Sequence, residues 1–167
     1  LTLAEYSVPV TIDNIEIVVG TTTLQPLLDA GLSIMVSEWT GDQVLEREID
    51  PEEILAAGTS ETDISFWITD SAFARLSLEA ADTDVRMGDA VVSRLALHLS
   101  HLTDTLPDNI SIDGVPVTEL SRARAGEMFP DYEQEDLSIM QQGEDYKCTF
   151  MFMPGTYALY QFSLVKG

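Results

Sequence analysis

A chain of 167 residues, 45% hydrophobic and 22% charged, is long enough to bury a real core and too apolar for wholesale disorder. Its 29 acidic residues against 8 Lys and Arg give a net charge of −21. Such a surface repels phosphate backbones and anionic lipid, so nucleic acid is excluded as an expected partner, and no apolar run approaches the roughly 20 residues of a membrane helix.

The first element is IDNIEI at 12–17, where Ile15, Ile17 and Val19 alternate as a strand until Gly20 breaks it. TTTLQPLLDAG then predicts a short helix: Leu24, Leu27 and Leu28 fall on one face, Thr22 or Thr23 can cap, and Gly31 occupies a C′ position. Pro26 confines that helix to a start just before it. LSIMVSEW reads as a strand, TGDQ as its turn and VLEREI as the return. DPEEILAAG at 50–58 predicts a helix, with Asp50 as cap, Pro51 at the first helical position, Glu53 completing a capping box and Gly58 ending it. ISFWI at 64–68 and FARLSLE at 73–79 read as strands joined by Thr69-Asp70-Ser71, and RLALHLS as a third, with Leu95, Leu97 and Leu99 facing the core.

Asp104 to Asn109, with Pro107, marks the boundary between a first unit, 1–104, and a second, 105–167. The second opens with ISIDGVPV, continues as a helix in TELSRARAGEMFP capped by Thr118, and ends as a meander: LSIMQ, the turn QGED, YKCTFMFM, the turn PGT and YALYQFSLV. IDGVPV at 112–117 repeats the pattern of IDNIEI, and LSIM occurs at 32–35 and again at 137–140. The expected fold is α+β, dominated by antiparallel sheet. Two related β-α-β-β(-β) units would form it, with short helices packed on the sheet.

The unit of strand, glycine, Thr-capped helix with paired leucines, glycine and β-meander resembles the β-lactamase-inhibitor-protein-like fold of small outer-membrane-assembly lipoproteins and secreted modules. Gly20, Thr22, Leu24, Leu27, Leu28 and Gly31 carry the likeness in the first copy; Thr118, Leu120, Phe129, Pro130 and Asp131 carry it in the second. The first copy departs by Pro26 inside its helix, the second by lacking the leading glycine and by Arg122 and Arg124 at usually apolar places. The resemblance implies a non-enzymatic, exported binding or assembly module.

Candidate chemistry is sparse. Cys148, the only cysteine, lies in the apolar run YKCTFMFM and reads as a buried inert thiol. His98 points away from the leucine face, where neighbouring carboxylates would favour its cation; His101 and Asp104 follow it, but the two histidines fit no metal-ligand spacing. No G-x-S-x-G elbow or Gly-rich phosphate loop occurs. DYEQED at 131–136 with Glu144 and Asp145, and a looser group of Asp82, Asp84 and Asp89, offer oxygen ligands for calcium without EF-hand spacing, and solvated loops account for both. Trp67 reads as core, Trp39 as a candidate exposed contact, and Tyr157 and Tyr160 as opposite faces of the last strand.

No catalytic, cofactor or metal residue is assigned. The expected function is a non-catalytic exported or cell-surface module that binds a protein or cell-envelope component. Two alternatives stay open, a carboxylate-pair hydrolase and a structural accessory domain of a larger surface protein. The chain begins at Leu1 without methionine or leader, as a mature or trimmed protein would, and the address expected for it is extracellular or cell-surface.

Overall fold

Two hairpins, ninety-odd residues apart in the chain, make the first pairing. β1 (Val10–Ile12) and β2 (Ile15–Ile17) turn through Asp13 and Asn14 at φ 50° and 66°; β10 (Ile110–Ile112) and β11 (Val115–Pro116) turn through Asp113 and Gly114 at φ 50° and 79°. Two central residues at positive φ match the right-handed twist of the flanking strands, which is why Asp-Asn and Asp-Gly serve here. β1 and β10 then pair antiparallel, Thr11 opposite Ser111, giving a four-stranded sheet in the order β11-β10-β1-β2. The computed structural model describes residues 7–99 and 106–167. His101, Asp104 and the expected 104/105 boundary lie outside the described residues.

The larger sheet has nine antiparallel strands in the order β12-β13-β14-β15-β9-β7-β6-β3-β4. From the first half come β3 (Met35–Thr40), β4 (Gln43–Glu48), β6 (Ser60–Trp67), β7 (Phe73–Glu79) and β9 (Val91–His98). From the second come β12 (Glu133–Gln134), β13 (Ser138–Gln142), β14 (Tyr146–Phe152) and β15 (Leu159–Lys166). The halves join where β9 pairs β15, Leu95 opposite Leu164 and Leu97 opposite Phe162. The chain is thus a sheet-dominated α+β protein with few short helices.

One face of this sheet is the core face. Leu76, Leu78, Leu95, Leu97, Phe150 and Phe162 are buried there, and Phe150 and Phe162 meet edge to face at 5.0 Å. Burying a side chain of this size contributes about 1.5–3 kcal/mol. The helices pack on the same side. α1 (Leu24–Asp29) buries Leu24 and Leu27 and ends as expected in a Schellman motif, where Gly31 N–H donates to Leu28 and Leu32 N–H to Leu27. Gly31 adopts φ 97° there. Its N-cap residue is Thr23, without a side-chain cap bond, and Thr22 Oγ1 instead accepts from Val18 N–H at 2.8 Å. α2 (Arg122–Met128) is capped by Ser121, whose Oγ accepts from Arg124 N–H. The expected cap, Thr118, lies instead in a separate turn of 3₁₀ helix, Val117–Glu119.

DPEEILAAG is not a helix. Asp50 accepts from Glu52 N–H in a local turn, and β5 (Ile54–Leu55) pairs with β8 (Val85–Arg86). Met87 N–H then donates to Glu53 O at 2.7 Å and Gly88 N–H to Pro51 O at 2.9 Å. A helix of two turns barely repays its nucleation in isolation, so a ready partner strand captured these backbone groups.

The two helices are anchored alike. Leu24 N–H donates to Ala90 O, just before β9, and Arg122 N–H to Tyr157 O, just before β15. The LSIM segments hold different places, however. Counted outward from the β9–β15 pair, residues 137–140 enter the third strand on their side, β13, while residues 32–35 enter the fourth, β3.

Candidate functional site

The other face of the nine-stranded sheet is the candidate site, and strand parity builds it. In β6 the buried Ile64 and Phe66 put Ser65 and Trp67 on the far face. In β7 the buried Ala74 and Leu76 do the same for Phe73 and Arg75. Register then aligns Trp67 with Phe73 and His98, and Ser65 with Arg75 and Ala96. Trp67 is 66% exposed, which corrects its assignment to the core. ISFWI is apolar apart from Ser65, and its parity groups Trp67 with that serine rather than with Phe66.

β3 and β4 extend past β6, because β3 pairs with it only at Met35 and Val36. The resulting two-stranded ribbon carries Trp39 opposite Val44, with Trp39 71% exposed. Glu38 and Arg47, on the ribbon's other side, form an ion pair, and Arg47 also reaches Glu53 at 3.2 Å. Between the ribbon and β6–β7 lies an open trough of about 340 Å³, lined by Trp39 and Val44 on one wall and Trp67, Phe73 and Arg75 on the other. Trp67 meets Phe73 edge to face at 5.2 Å, and the Arg75 guanidinium lies over the Phe73 ring at 5.8 Å. Trp and Arg together form the composition of interaction hot spots.

His98 completes the aromatic row. Its ring stacks on Phe73 at 4.7 Å with planes 11° apart, so the side chain is half-buried on the outer face. Its pKa falls below 6.5, first because burial disfavours the cation and then because Arg75 and Arg94 repel it. The expected carboxylate neighbourhood is therefore corrected to a cationic one.

The other sequence candidates fall elsewhere. Cys148 is fully buried beneath β14, and burial pushes its thiol far up from the ordinary range. Tyr157 precedes β15 and adopts φ 57°, so it belongs to the turn and not to the strand; its hydroxyl donates to Asp136 at 3.4 Å. Tyr160, in β15, is half-buried, so neither tyrosine is core. In the acidic group at 131–136, Tyr132 is buried against Phe129 while Glu135 and Asp136 are exposed. Asp84 accepts from Ala57 N–H at 2.8 Å and Asp89 pairs with Arg86. Among the described residues no three His, Cys, Asp or Glu side chains converge as metal ligands, and no helix is long and apolar enough to cross a membrane.

Two carboxylates, Glu46 and Asp63, also line the trough, and both are exposed. A catalytic acid is normally set in a drier, less charged pocket. The trough offers an open aromatic surface and no enclosed reaction chamber. No family model, no curated protein and no solved structure matches this chain.

Proposed function

We propose that this chain is a non-catalytic binding module, exported or held at the cell surface, whose outer sheet face meets a protein or cell-envelope partner. The observation that carries the reading is the exposure of Trp39 and Trp67 on one face, on either side of the trough. Leaving two indoles in water forgoes the burial term, about 25 cal/mol per Å² of apolar surface, and a partner that covers them recovers it. The resemblance of the sequence to β-lactamase-inhibitor-protein-like modules adds weight. A duplicated origin for the two halves belongs to the same proposal. The paired hairpins and the matched helix anchors before β9 and β15 support it, and the displaced LSIM segments do not.

Photo-crosslinking in the cell that makes the protein tests the binding reading. A benzophenone side chain placed at Trp39 or Trp67 should give one discrete adduct, while the same group at Glu127, on α2 across the core, should give none. Equal adducts from both faces, or none from either, would sink the proposal.

A further inference from the structure

The central strands of the outer face carry a charge opposite to that of the molecule. Beside the row of Trp67, Phe73 and His98 runs a second row of Arg75, Ala96, Ser163 and Thr149, and a third of Ser77, Arg94, Val165 and Lys147. The rows continue through Gln161 and Met151 to Ser138, Met140 and Gln142 on β13, beyond which Glu133 of β12 stands opposite Met140. In a chain with 29 carboxylates, none occurs in these three rows across β7, β9, β15, β14 and β13. Yet Arg75, Arg94 and Lys147, three of the chain's eight Lys and Arg, are all there and all exposed.

Among the described residues these three, like Arg122 and Arg124 on α2, lack the carboxylate partner that the other cations have. Arg47, Arg86 and Lys166 each pair with a carboxylate of the chain. The half-buried His98, at the aromatic end of these rows, is held toward its neutral form first by burial and then by the charges of Arg75 and Arg94. The carboxylates nearest the trough, Glu46 and Asp63, lie on the ribbon and β6 side. The site is therefore polarised, acidic at the ribbon and cationic over the central strands.

From this juxtaposition we infer that the partner is a polypeptide whose contacting segment is acidic, with its carboxylates received by Arg75 and Arg94 and its apolar side chains by the trough between Trp39 and Trp67. The inference rests on the binding reading above and adds the chemistry of the ligand. Arg presents a planar fork that meets a carboxylate in two parallel hydrogen bonds, and Arg75 stands beside the aromatic row with its guanidinium over the Phe73 ring. A polypeptide is favoured over nucleic acid because the rest of this −21 molecule repels a phosphate backbone, whereas a short acidic segment needs only the local cationic strip.

The test is selection of a random peptide library on the full chain, with depletion on a Trp39→Ala/Trp67→Ala variant. Selected peptides should be enriched in Asp and Glu. Their affinity should fall about tenfold or more for Arg75→Gln/Arg94→Gln, return only in part in Arg75→Lys/Arg94→Lys, which keeps the charge and loses the fork, and weaken at high salt. An unchanged thermal midpoint in the Gln variant confirms that the loss is not unfolding. Peptides that depend on the tryptophans but carry no acidic excess would overturn the acidic partner and leave the binding reading standing. No peptide discriminating parent from tryptophan variant would overturn both. Short single-stranded DNA binding as tightly as the selected peptides would overturn the assignment to a polypeptide.

Discussion

Asn109 and Asp13 hold each other by two hydrogen bonds: Asn109 Nδ2 donates to Asp13 Oδ1 at 2.8 Å, and Asp13 N–H donates to the Asn109 carbonyl at 3.0 Å. The second hairpin returns the contact, with Asp113 N–H donating to Pro9 O at 3.0 Å. Each turn is thus closed by the chain leading into the other hairpin. Asn109→Ala removes the side-chain half of this clasp and should cost about 1 kcal/mol, the ordinary net worth of one such bond. Chemical denaturation of the two proteins checks it, and a change below about 0.3 kcal/mol would show the clasp to be incidental.

Phe66 and Trp67 are neighbours on opposite faces. Phe66→Ala should destabilise by about 3–5 kcal/mol because it opens the core. Trp67→Ala, which loses only its exposed contact with Phe73, should cost under about 1 kcal/mol. Equal losses in unfolding experiments would mean that the outer face is covered.

Cys148 should be inert in the folded protein. It is fully buried, and desolvation raises its pKa, with a hydrogen bond involving Tyr132 only partly opposing the shift. Labelling by a chromogenic disulfide should therefore proceed at the rate of unfolding and accelerate with denaturant. Stoichiometric labelling within the mixing time would refute the burial.

His98 carries a pH dependence of definite sign. Its folded-state pKa lies below the unfolded value of 6.5, so the folded protein binds fewer protons through this group. The associated stability is complete above about pH 6.5 and is lost as the pH falls through the folded value. Between about pH 7 and about pH 5, the parent should lose stability relative to His98→Gln. An imidazole titration followed by NMR with a midpoint above 6.5 would contradict the half-buried stack on Phe73 near two arginines.

Much of the fold was legible because it is encoded locally. Gly31 specifies a helix stop, and alternation in RLALHLS or YKCTFMF the face that turns inward, whereas the positive-φ turns at Asp13-Asn14 and Asp113-Gly114 were passed over inside longer elements. The helix expected over 50–58 failed because its capping residues satisfy a turn equally well. Whether Ile54 and Leu55 coil or extend depended on Val85 and Arg86, thirty residues away. Trp67 was misplaced because its hydrophobicity was weighed and its parity was not.

The amino-acid sequence by itself determined an acidic, sheet-rich α+β protein with an inert buried cysteine and no recognisable catalytic motif. Only the tertiary structure decided that Trp39, Trp67, Phe73, Arg75, Arg94 and His98 share one face. They come from four strands, and in sequence the two cations are submerged in an overwhelming excess of acid. The physical reason is that turn geometry and alternation act within a few residues, whereas a surface is assembled by register. Which strand lies beside which was settled by burial of the leucine and phenylalanine face, and the composition of the opposite face followed from that pairing.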